Sequence, residues 1–241
     1  MNLDLRLQRV FDRVELVSGI GTPDLGQMCV MAFVAALAGE GHTDAPSCAS
    51  QLIRAFAIPL NDHMPREARQ RLKPFAPRIL GTNDGLDAAR AEVLRQVVAE
   101  EILPRTLEHR QAAPGAAAPQ WRAGPLGRLW LRLCRRELHN RIARLLAQAG
   151  HDHRPGHADD LASAAGRLIG LCARSTTDAR EAEWYWSRAI GLLDRLCDVG
   201  AERRREPEVR ADRLERFEAI LDGRRPGSGT HAVAPPALRL F

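Results

Sequence analysis

The sequence has few aromatic residues and no convincing strand pattern. Phe, Trp and Tyr make up 5% of its 241 residues, so a core has to be built mainly from Leu, Ala, Val and Ile. No segment alternates apolar and polar residues over several positions, as a half-buried strand does. These absences argue against a sheet and predict an all-α protein made of packed helices.

Long apolar runs and a disulfide pattern are also missing. No apolar run approaches the roughly 18 residues of a membrane-spanning helix, and no charged-then-apolar signal peptide opens the chain. The five cysteines are an odd number spread over the sequence, which is not typical of a disulfide framework. We therefore expect a cytoplasmic protein with reduced thiols and no membrane contact.

Lysine is almost absent, since Lys73 is the only lysine among 35 basic residues. The formal net charge is +5, which keeps a nucleic acid or an acidic protein surface open as a partner. Arginine favours bidentate contacts with carboxylates or phosphates. Such a bias also follows from a GC-rich genome, so composition alone does not decide the partner.

Helical periodicity divides the chain into two units. Residues 1–110 form an N-terminal helical unit, in which a long helix is expected to end at Pro104. Residues 111–125 are rich in Ala, Pro and Gly and lack periodicity, which is typical of a linker. Residues 126–223 are predicted to form a C-terminal helical bundle, and residues 224–241 a disordered tail.

The N-terminal unit is organised around a predicted helical hairpin. Asp24 is placed to cap the first helix, and the apolar segment after it runs to Gly39, a natural stop. A polar turn leads to a second helix from about Ser47, which Pro59 is expected to end near Ala57.

Two groups of chemically active side chains are expected at opposite ends of this hairpin. Counting about 1.5 Å of rise per residue puts Cys29 level with Asp62 and His63. These are the residue types of a thiol nucleophile and its base, and a helix N-terminus favours the thiolate. A hydrolase or transferase using Cys29, His63 and Asp62 is therefore one hypothesis. The alternative is that Cys29 is a small core residue.

The second group contains His42, Asp44 and Cys48. Zinc takes Cys, His and Asp ligands, so a structural zinc protein is a further hypothesis. No tight pair of ligands accompanies them, and Asp44 also fits a turn or helix cap.

The helix predicted at 126–149 carries a basic stripe opposite an apolar face that includes Trp130. Its residues repeat at helical spacing: Arg128, Arg132, Arg135, Arg136 and His139. Such a stripe can follow a phosphate backbone or pack on an acidic protein, and a salt-bridged surface helix gives the same pattern.

The segment from Cys29-Val-Met through Gly39-Glu40-Gly-His42-Thr-Asp44, with Asn61-Asp62 after it, resembles a family of hypothetical proteins. Members occur in tailed phages and in actinobacterial and cyanobacterial genomes. The resemblance covers roughly residues 24–105 and implies a phage or mobile-element context without an assigned activity. The family has a glutamate three residues after the cysteine, where this chain has Ala32.

We expect a non-enzymatic helical binding or adaptor protein in a phage, mobile-element or defence context. Its arginine faces would contact nucleic acid or an acidic protein, and it would need no cofactor. A cysteine-dependent enzyme using Cys29 and His63 is the alternative, and a structural zinc protein is the second alternative.

Overall fold

The computed structural model describes four stretches of the chain, residues 3–111, 125–148, 156–203 and 209–222. Most of these residues are helical, which confirms the predicted all-α class. The predicted tail and the interior of the predicted linker lie outside the described residues. Within the described part, no helix is long and apolar enough to cross a membrane.

The α-helices follow one another in this order: α1 (Leu3–Arg13), α2 (Val30–Ala38), α3 (Gln51–His63), α4 (Arg66–Gln70), α5 (Ala76–Ile79), α6 (Asp87–Val97), α7 (Leu103–Gln111), α8 (Pro125–Gln148), α9 (His157–Ser175), α10 (Ala179–Asp198) and α11 (Ala211–Leu221). A π-helical turn, Val98–Ile102, joins α6 to α7. Two short strands, β1 (Glu15–Leu16) and β2 (Gln27–Met28), pair in parallel.

The helix expected from Asp24 begins only at Val30. Asp24 lies in a short 3-10 turn, and Gly26 after it has a φ of 70°, which interrupts any right-handed helix. The next residues form β2, which pairs with β1. Tertiary pairing of this segment therefore overrides the capping pattern that the sequence offers.

Two prolines lie inside helical segments that they were expected to end. α3 continues past Pro59 to His63, because packing of its buried face outweighs the loss of one backbone hydrogen bond. Pro104 lies in the first turn of α7, directly after the π-helical turn. The wider turn changes the hydrogen-bond ladder at the position where proline would clash.

α3 and α9 form the central pair of the fold. A Cβ built on Gly166 would lie 2.8 Å from the Phe56 carbonyl oxygen, and one on Gly170 would lie 2.4 Å from the His63 Cβ. These glycines allow the two helix backbones to approach closely. α8 and α10 pack on α9 in turn, so residues on both sides of the predicted linker contribute to one hydrophobic core.

A buried arginine ties α6 to the end of α10. Arg90 is fully buried, and its Nη1 and Nη2 each donate to a carboxylate oxygen of Asp84 at 2.7 Å. The same guanidinium donates to the carbonyl oxygens of Leu196 and Val199. Together these contacts compensate the buried charge, since an unpaired buried guanidinium is strongly destabilising.

Candidate functional site

Cys29 is the N-cap residue of α2. Its Sγ accepts a hydrogen bond from the Ala32 backbone N–H at 3.3 Å. The neighbouring Val30 N–H donates to Oδ1 of Asn61 at 3.2 Å, so α3 supplies a second cap. The Cys29 side chain is 4% exposed. These contacts satisfy two of the free N–H groups at the helix N-terminus.

The environment of Cys29 favours the neutral thiol. Burial raises the pKa of Cys29, the backbone hydrogen bonds of Ala32 and Met31 lower it, and the Asp44 and Asp62 carboxylates raise it again. The balance is a pKa above the ordinary value, so the thiol is protonated at neutral pH. A nucleophilic cysteine needs the opposite shift.

His63 does not pair with Cys29, contrary to the catalytic hypothesis. His63 and Asn61 are about 200° apart around α3, and Asn61 is the residue that faces α2. The His63 ring lies against Gly170 of α9, and its Nδ1–H donates to the Pro59 carbonyl oxygen at 2.7 Å. Helix rise predicted the level of His63, whereas rotation about the helix axis turns it away.

Asp62 holds a loop instead of orienting a base. Its Oδ1 accepts the Gly19 backbone N–H at 2.8 Å and the Ser18 hydroxyl at 3.4 Å. Cys29, His63 and Asp62 therefore do not form the predicted catalytic arrangement. Their hydrogen bonds fix the N-terminus of α2, the end of α3 and the loop between β1 and the 3-10 turn.

The three predicted zinc ligands do not converge. His42 Nε2 donates to the Gly21 carbonyl oxygen at 3.3 Å, and Gly21 lies beside Met28, at the Cys29 end of α2. The polar turn thus folds back along α2, so His42 and Asp44 are not at the far end of the hairpin as expected. Among the described residues, no group of three or more His, Cys, Asp or Glu side chains is placed to hold a metal ion.

Cys48 remains at the other end of α2, next to Glu40. The Glu40 carboxylate accepts the backbone N–H groups of Ser47 and Cys48 at 2.5 Å and 3.1 Å. Burial and the adjacent Glu40 charge raise the pKa of Cys48 to about 12. Glu40 therefore acts as a cap for the polar turn, and Cys48 is a protonated, half-buried thiol.

Two members of the predicted basic stripe on α8 are used within the fold. Arg135 Nη1 donates to the Ser175 hydroxyl at 3.2 Å. His139 Nδ1 lies 3.2 Å from the Thr106 hydroxyl, which links α8 to α7. Both side chains are half-buried and contribute to contacts between helices.

The other three residues of the stripe differ from one another. Arg136 is exposed, and the side chains of Arg128 and Arg132 lie outside the described residues. Further along α8, Arg141 and Arg144 form ion pairs with acidic side chains. Of the described stripe residues, Arg135 and His139 thus make contacts within the fold and Arg136 is exposed.

A groove of about 820 Å³ runs between α3, α8 and α9. α3 and α8 both pack on α9 and stand apart from each other, which leaves the space between them open. Its apolar lining comes from all three helices: Ala55, Ile58, Pro59, Trp130, Leu138 and Leu171. Trp130, at the α8 side of the groove, is 53% exposed.

The acidic residues of the groove differ in whether they form ion pairs. Asp160 pairs with Arg141 and Glu137 with Arg144 on the outer side, whereas Asp159 forms no ion pair with any described residue. Burial and then the Asp87 charge raise the pKa of Asp159, although Arg54 and a hydrogen bond from Gln51 lower it. The groove also holds Asp62 and two arginines, Arg54 and Arg167, so its charged lining is of mixed sign.

No motif in the sequence indicates this groove. Periodicity puts Trp130 on the apolar face of α8, but it does not reveal that part of this face is exposed. Asp159 carries no motif at all. The small residues of α9, including Gly166 and Gly170, were the available signal, because they indicate a close neighbour on one side of α9.

No protein-family model, curated protein or solved structure matches this chain.

Proposed function

We propose that the protein is a non-enzymatic binding or adaptor protein and that the groove between α3, α8 and α9 is its binding site. The observation that carries this proposal is the exposed Trp130 beside a groove of about 820 Å³ that has both apolar and charged lining residues. Pockets that hold ligands commonly have this size. Exposed Trp residues are frequent anchors at protein interfaces.

The surroundings of Cys29 support binding over thiol catalysis. The thiol is buried and has a raised pKa, and His63 faces α9 instead of Cys29. The groove is also better supported as a binding site than the α8 stripe, because Arg135 and His139 contact Ser175 and Thr106 within the fold. The phage or mobile-element context remains a prediction from the resemblance.

A selection from a display library of random peptides tests the proposal. The selection is run in parallel on the wild-type protein and on Ala55→Arg, which places a long charged side chain in the groove. Gly191→Arg is the matched control, because Gly191 is exposed on α10 with nothing within 4 Å of a built Cβ. Circular dichroism confirms that both variants are folded.

We expect peptides that are enriched on the wild-type protein and on Gly191→Arg but not on Ala55→Arg. The proposal is contradicted if no peptide is enriched, or if Ala55→Arg captures the same peptides.

A further inference from the structure

We draw no further inference here: the strongest candidate, the groove between α3, α8 and α9, belongs to the site already described, its charged lining is of mixed sign, and nothing in the part of the chain that the structure describes shows what covers it.

Discussion

Individual side chains decide whether the Cys29 region is reactive or structural. Cys29 is buried, accepts one N–H and has a raised pKa, whereas Cys134 on α8 is partly exposed and lines the groove. We predict that iodoacetamide at pH 7.5 modifies Cys29 more slowly than Cys134 in the folded protein, as measured by peptide mass spectrometry. In the unfolded protein the two rates should become similar. Faster modification of Cys29 than of Cys134 in the folded protein would contradict this prediction and support the catalytic hypothesis.

The Asp84–Arg90 pair is a second test at this scale. Asp84→Asn leaves the fully buried Arg90 with a weakened set of partners, so we expect the free energy of unfolding to fall by about 2 kcal/mol at pH 7. Glu92→Gln is the control, because Glu92 forms an exposed pair with Arg95 and such pairs contribute less than about 1 kcal/mol. Urea denaturation measures both changes, and equal losses would contradict this account.

The same pair gives a pH dependence. Burial alone would raise the pKa of Asp84, but the hydrogen bonds from Arg90 and from the Leu86 N–H lower it below its ordinary value. A carboxyl with a lowered pKa in the folded state stabilises the protein above its unfolded pKa of about 4, and this contribution is lost as the pH falls further. The stability difference between wild type and Asp84→Asn should therefore shrink below about pH 4.

At the scale of helices, the packing of α3 against α9 is the contact most sensitive to an added methyl group. Gly170→Ala would place a methyl group 2.4 Å from the His63 Cβ, so we expect a loss of about 2 kcal/mol in the free energy of unfolding. Gly191→Ala on exposed α10 is the matched control, with nothing within 4 Å, and should be stabilising by about 0.5 kcal/mol or more. Thermal denaturation of both variants checks the prediction, which fails if the two behave alike.

Helix existence was predictable from periodicity, but several helix ends were not. α2 starts at Val30 because residues before it pair with β1, and no capping rule contains that tertiary contact. α3 passes Pro59 because burial of its apolar residues outweighs a local penalty. Helix rise alone does not give the direction of the His63 side chain, which also depends on its rotation about the α3 axis.

For the whole molecule, the sequence left open whether the two predicted units pack together. Buried residues before residue 111 and after residue 125 belong to one core, with α3 lying against α9. We therefore predict that residues 1–111 expressed alone do not unfold cooperatively, because the face of α3 that α9 covers would be exposed to water. Thermal circular dichroism measures this, and a sharp transition in the fragment would contradict it.

The groove is likewise a property of the whole molecule, since it exists only where α8 and α3 stand apart on α9. Residues distant in sequence, such as Ile58, Trp130 and Leu171, line it together. No pattern within one segment could have indicated it. The proposed binding function depends on this groove and not on the cysteine and histidine residues between Cys29 and His63.

The most direct test is the affinity of the tightest display-selected peptide for three proteins: wild type, Ala55→Arg and Gly191→Arg. We predict that Ala55→Arg weakens the Kd by at least about tenfold, a change of about 1.4 kcal/mol, while Gly191→Arg binds like the wild-type protein. Equal affinity for all three proteins would contradict the central claim that the groove between α3, α8 and α9 is the binding site.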